Sequence, residues 1–163
     1  MFYGCPSLKS VDLSNFNFPN LKFMRCLFSN DYSLEYVNFT GFNSPNVEEL
    51  FYVFANCYSL KSVDLSCITS NGTIATLTYM FFGCRSLTYV NLGNITPRFS
   101  HSHQEMFYNC PNLTYIDLSS FQAKDFQTMF NQLPPNGTIL IKSNFLNLMK
   151  EEIPKDWLIK IID

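Results

Sequence analysis

The stretch MFYGCPSLKSVDLSNF at residues 1–16 returns almost unchanged as MFYNCPNLTYIDLSSF at residues 106–121, and this self-similarity decides the fold. The same frame recurs three more times in between. A phenylalanine marks each period at Phe2, Phe28, Phe54, Phe81, Phe107 and Phe130, with spacings of 26, 26, 27, 26 and 23 residues. Downstream of the first five comes one apolar frame: Leu8, Val11, Leu13, Phe16, then Leu34, Val37, Phe39, Phe42, then Leu60, Val63, Leu65, Ile68. Leu87, Val90, Leu92, Ile95 and Leu113, Ile116, Leu118, Phe121 complete it. All of these positions are apolar in a chain that is 47% hydrophobic, which independent placement would almost never produce.

A period of ~20 to 29 residues carrying L-x-x-L-x-L is that of leucine-rich repeats, in which each repeat is one coil of a solenoid and buries its apolar side only against its neighbours. Alternation in Ser10-Val11-Asp12-Leu13-Ser14 sets Val11 and Leu13 on one face and the polar residues on the other. Each coil is therefore expected to give one short strand to a parallel sheet on the concave face. On the return leg, Val47, Leu50, Phe51 and Phe54 fall at helical i, i+3, i+4, i+7 spacing, behind Ser44 as a candidate N-cap and Pro45 at the first helical position. Leu21, Met24 and Phe28 repeat the stripe one coil earlier, and Ile74, Leu77 and Phe81 one coil later. Short helices are thus predicted on the convex face, giving an α/β solenoid.

The run Met-Phe-x-x-Cys-x-x-Leu followed by Val-Asp-Leu-Ser resembles the BspA-type leucine-rich repeat of bacterial and protozoan cell-surface proteins, over residues 1–133. The second coil departs from that pattern, with Asp31 where the others carry Cys. The resemblance implies a surface or secreted protein engaged in adhesion to host tissue, matrix proteins or other microbes.

At Leu133 the frame stops. Pro134-Pro135-Asn136-Gly137 reads as a turn, Thr138–Ile141 as a strand, Asn144–Glu152 as a short helix opened by Ser143 and ended by Pro154, and Trp157–Ile162 as a last strand. This segment, 134–163, is expected to be a C-terminal cap covering the apolar edge of a 1–133 solenoid of about five coils, as terminal repeats of solenoids must. Met1-Phe2 stands in register with Met80-Phe81, Met106-Phe107 and Met129-Phe130, so Met1 reads as a repeat position and further coils are expected upstream.

Composition narrows the function classes. Eleven basic residues against thirteen acidic ones, scattered along the chain for a net charge of −2, argue against binding nucleic acid through its phosphates. No apolar run approaches the ~18 to 20 residues of a membrane span, so direct membrane insertion of this segment is not expected. Cys5, Cys57, Cys84 and Cys110 share one repeat position, which reads as small side chains stacked along the core; metal sites would want C-x-x-C pairs, which are absent. Parallel coils ~4.8 Å apart lie within disulfide range, yet in-register side chains point the same way rather than at each other. Cys26 and Cys67 lie off that column and are the candidate reactive thiols. His101 and His103, with Glu105 nearby, form a weak metal-like pair without a third ligand at strand or helix spacing, and the adjacent acids Glu48-Glu49 and Glu151-Glu152 read as surface charges. Five sequons, at Asn38, Asn71, Asn94, Asn112 and Asn136, matter only in a eukaryotic secretory pathway. Neither a nucleophile held beside a histidine by a third group nor a phosphate-binding glycine loop is present in the pattern. Neither catalytic residues, metal ligands nor a cofactor site are therefore predicted.

What remains is the outward face of the predicted sheet. Asp12, Asn38, Asp64, Asn91 and Asp117 form its central column, with Ser10, Tyr36, Ser62, Tyr89 and Tyr115 beside it and Ser14, Thr40, Ser66, Gly93 and Ser119 as a third. These side chains could merely satisfy one another and water. Tyrosines interleaved with hydroxyls and carboxylates also make an adaptable recognition strip of low entropic cost. Candidate ligand-binding residues are Asp12, Tyr36, Asn38, Asp64, Tyr89, Asn91, Tyr115 and Asp117, and the expected partner is a protein or a glycan. The first reading is a non-catalytic interaction module of a cell-surface or secreted, adhesin-like protein. The alternative is an intracellular scaffold or effector domain for protein–protein interaction.

Overall fold

The structure, a computed structural model, describes residues 2–68, 74–98, 103–123, 126 and 128–163. It is a solenoid of about five turns. Each of the first five strands takes three residues from the predicted place in its coil: β1 Ser10–Asp12, β2 Tyr36–Asn38, β3 Ser62–Asp64, β4 Tyr89–Asn91 and β5 Tyr115–Asp117. In every one the central Val or Ile is buried and its neighbours are partly or fully exposed, as the period of two requires. The chain continues through β6 (Thr138–Lys142), a 3₁₀ turn at Ser143–Phe145, the four-residue helix α1 (Leu146–Met149) and β7 (Leu158–Ile162). All pairings are parallel and in repeat register: Ser62, Tyr89, Tyr115 and Thr138 follow one another across neighbouring strands, as do Asp64, Asn91, Asp117 and Leu140. The predicted helix at 144–152 is thus shorter than its pattern suggested, and β7 extends the same sheet beyond β6.

The core is a stack of like residues. The rings of Phe2, Phe28, Phe54, Phe81 and Phe107 lie face to face at 5.4, 5.4, 5.5 and 5.7 Å, each within 11° of parallel. Offset stacking at such spacing adds to the gain from burying each ring.

The return legs are not helices, which corrects the prediction of short helices on the convex face. They are runs of turns carrying two left-handed residues four apart in each coil: Cys26 and Asn30, Tyr52 and Asn56, Tyr79 and Gly83, Glu105 and Asn109, Thr128 and Gln132. A right-handed helix cannot pass through such residues. Hydrogen bonding explains why turns win. Alternate N–H groups bond to the next coil, as Tyr52 does to Thr78, Phe54 to Met80 and Asn56 to Phe82, while Ala55 and Cys57 close turns onto Tyr52 and Phe54. The neighbouring coil therefore satisfies the donors that a helix would satisfy internally. A four-residue turn repeat also buries Val47, Leu50 and Phe54 at spacings that mimic a helical stripe, and Phe51, the remaining member, is only half-buried. Ser44 caps nothing. It is buried, and its hydroxyl donates to the Phe18 carbonyl.

Candidate functional site

The predicted columns form, and the structure gives the central one a local task. In all five coils the Asp or Asn oxygen accepts the N–H two residues on: Asp12 from Ser14 (2.9 Å), Asn38 from Thr40 (3.0 Å), Asp64 from Ser66, Asn91 from Gly93 and Asp117 from Ser119 (each 2.8 Å). Each closes an Asx-type turn that ends its strand. This explains the alternation of Asp and Asn without a ligand, since either side chain supplies the oxygen. The Asn38 amide also donates to Asp12 (3.1 Å). The Ser14 N–H, which contributes most, the Ser14 side chain and the Asn38 amide together hold the Asp12 carboxyl below its ordinary value, against the opposing effect of burial.

The face is not uniform. β1 pairs only with β2, and β3 begins a separate sheet that runs to β7, so the ladder breaks between β2 and β3. At the other steps the residue after the strand donates to the next coil: Leu13 to Asn38 (2.9 Å), Leu65 to Asn91 (2.9 Å), Leu92 to Asp117 (3.1 Å) and Leu118 to Leu140 (2.8 Å). The equivalent bond from Phe39 N–H to the Asp64 carbonyl is missing, although Lys61 N–H still reaches the Glu35 carbonyl (3.3 Å) at the other end of the strand pair. The two strands therefore diverge toward their C-terminal ends. The next step is the opposite case: at Gly93 (φ 56°) a Cβ would lie 2.5 Å from the Leu65 carbonyl oxygen and 2.7 Å from Ser66 Cα, so coils 3 and 4 are in close contact.

Phe39 is the residue that differs at the break. The same frame position holds Leu13, Leu65, Leu92 and Leu118 in the other coils. Its ring is buried and stands edge-on to Phe42 (5.5 Å) and Phe54 (6.4 Å), where a leucine would occupy less width between coils.

The break opens a cleft of ≈140 Å³ on the concave face, lined among others by Tyr36, Asn38, Ser62, Asp64, Ser66 and Tyr89. Four predicted site residues, Tyr36, Asn38, Asp64 and Tyr89, are brought together there. Asp12, Asn91, Tyr115 and Asp117 lie along the same strands but outside it. Tyr89 stacks on Tyr115 at 5.5 Å, and partial burial, followed by the carboxylates of Asp117 and Asp64, holds its phenol above the ordinary value. Tyr36 is 52% exposed. Sequence reasoning missed Phe39 as a wedge and Cys67 as lining, and left Ser62 and Ser66 as positions on the exposed face rather than binding residues. The one signal was a phenylalanine in a column of leucines.

The thiol column is structural and polar. Cys57, Cys84 and Cys110 are buried and their Sγ groups donate to the carbonyls of Phe28 (3.0 Å), Phe54 (3.1 Å) and Phe81 (3.0 Å). Burial pushes all three thiols up, that of Cys110 to about 12. Cys5, expected in the same core column, is exposed, whereas Cys26 and Cys67 are partly accessible. Position 31 holds a fully buried carboxylate: Asp31 Oδ1 accepts the Cys5 N–H at 2.6 Å and Oδ2 has no partner. His103 is buried with its ring stacked on Phe126 at 6.1 Å, while His101 and the Asn71 sequon lie outside the described residues. Among the described residues no three His, Cys, Asp or Glu side chains gather as a metal site would need. The acids Glu48 and Glu49 pair across coils, with Lys22 (3.0 Å) and with the Arg25 guanidinium.

Comparison with known families follows this architecture. Residues 51–153 match the BspA type leucine-rich repeat region in six copies, a stretch that runs past Leu133 through β6 and α1. Residues 1–88 match a family described as a Mycoplasma protein of unknown function. No curated protein and no solved structure matches the chain.

Proposed function

Because this chain belongs to the BspA-type leucine-rich repeat family, whose solenoids are interaction scaffolds, we propose that it is the binding module of a cell-surface or secreted, adhesin-like protein that takes a protein or glycan on its concave sheet. The family is typically surface-associated, and among the described residues no helix is long and apolar enough to cross a membrane. In this reading residues 134–163 act as the cap: Ile139, Ile141, Met149, Ile153 and Trp157 are buried against the last coil, and Trp157 Nε1 donates to the Pro134 carbonyl at 2.7 Å.

The observation that carries the proposal is the cleft on the concave face, where two tyrosines, hydroxyls and a carboxylate converge on a gap that the repeat itself does not require.

The test has two arms. Antibody labelling of intact source cells, with permeabilised cells as control, should show the native protein at the surface; signal only after permeabilisation would favour the intracellular scaffold. Binding to arrayed matrix proteins and glycans should fall at least tenfold when Tyr36, Tyr89 and Tyr115 are changed to Ser, with the melt preserved. Unchanged binding would move the site off the sheet.

A further inference from the structure

We propose that the cleft between β2 and β3 is a slot for a single arginine side chain of a protein partner. This rests on the concave-face reading above and commits it to one chemistry.

The slot's shape follows from the column of Tyr36, Ser62 and Tyr89. A small serine stands between two tyrosines, and both tyrosines line the cleft. At ~4.8 Å per coil the two rings stand about 10 Å apart. A flat group stacked on one ring needs about 3.5 Å, so the gap admits a planar group lying against either wall. Tyr89 is braced from behind by Tyr115, which fixes that wall.

The slot's charge is one-sided. Among the described residues Asp64 is the only charged one in the lining. One of its oxygens is held by the Ser66 N–H, and among the described residues the other accepts no hydrogen bond. The neighbouring amide that could have served it, Asn38 Nδ2, donates instead to Asp12. Lys61, three residues before it in the chain, is paired with Glu35 at 2.6 Å. Asp64 thus offers a free carboxylate oxygen and, through the break in the ladder, a main-chain carbonyl that Phe39 would otherwise have taken. Acceptors beside aromatic walls suit a guanidinium, which is planar, always charged, rich in donors and weakly hydrated, and which stacks on aromatic faces. An ammonium lacks the plane, and a neutral sugar can hydrogen-bond the carboxylate but brings no charge to pair with it.

The test is a titration of the protein with acetyl-Gly-Arg-Gly-amide, following the ring signals of Tyr36 and Tyr89 by NMR. Saturable shifts at these two rings are expected. The citrulline peptide, which keeps the shape without the charge, should bind at least about tenfold more weakly, as should the lysine peptide. Asp64→Asn should weaken the arginine peptide by a similar factor, whereas Asp12→Asn should not. The Asp64→Asn fold is safeguarded because Asn already closes the same turn at positions 38 and 91. Equal binding of the citrulline peptide, ring shifts produced by methyl glucoside but not by arginine, or no shift with any probe would each overturn the slot. None of those results would restore array binding to the triple tyrosine variant, so failure of the slot and failure of the concave-face reading are separable.

Discussion

Coils 1 and 5 are near copies in sequence and opposites in environment. Phe16 and Phe121 occupy one frame position, yet Phe16 is 47% exposed and Phe121 1%. Leu8 and Leu13 are half-buried where Leu113 and Leu118 are buried, and Cys5 is exposed where Cys110 is inside. Coil 5 has β4 on one side and β6 on the other, while coil 1 has only β2. Its outer side leaves Phe18 and Phe23 exposed around an apolar groove of ≈220 Å³. The difference teaches that in a solenoid a side chain's burial belongs to its neighbours as much as to its own coil.

Thiol chemistry should separate the two ends most sharply. In the chain of residues 1–163, exposed Cys5 is expected to react with a disulfide reagent at least about a thousandfold faster than buried Cys110. Cys26 and Cys67 should follow Cys5, and Cys57 and Cys84 should follow Cys110. Comparable rates at Cys5 and Cys110, read by peptide mapping after timed labelling, would break the comparison.

Truncating the same aromatic at the two ends comes next. Phe121→Ala should cost about 3 to 5 kcal/mol and Phe16→Ala less than about 1 kcal/mol, as cavity formation requires a closed surround. Urea denaturation of both variants checks this. Equal losses would mean that coil 1 is packed as tightly as coil 5.

The smallest effect sharpens the comparison at the coil boundary. Burial pushes the Asp31 carboxyl above its ordinary value, with the Cys5 N–H opposing. A carboxyl raised in this way binds its proton more readily folded than unfolded, so the stability it confers is present at low pH and is lost as pH rises through its folded value. Asp31→Asn cannot ionise. It should therefore be more stable than the parent at pH 7, with the gain vanishing below the ordinary aspartate value of ~3.9. A gain independent of pH, measured by melts at pH 7 and pH 3, would show that the carboxyl's charge is not what destabilises coil 2.

The repeat frame, the five short strands and the facing of Asp12, Tyr36, Asn38, Asp64, Tyr89, Asn91, Tyr115 and Asp117 were legible in the sequence, because a period of two within a strand and of 26 between coils are both written in residue type. The return legs misled for an equally physical reason. A turn repeated every four residues places Val47, Leu50 and Phe54 inward much as a helix would, and only the inter-coil bonds of Tyr52, Phe54 and Asn56 decide between them. The columns of the concave face were likewise readable, but their local purpose, closing the turn after each strand, shows only in the 2.8–3.0 Å bonds.

By itself, then, the sequence determined the class of solenoid, its register and which side chains share a face, since these depend on spacing within one coil and between like coils. The tertiary structure alone decided where the ladder breaks and which residues line the cleft. Those outcomes depend on how far one coil sits from the next. That distance is set by the widths of side chains meeting across the gap, a phenylalanine at 39 and a glycine at 93, and no single coil contains both sides of the contact.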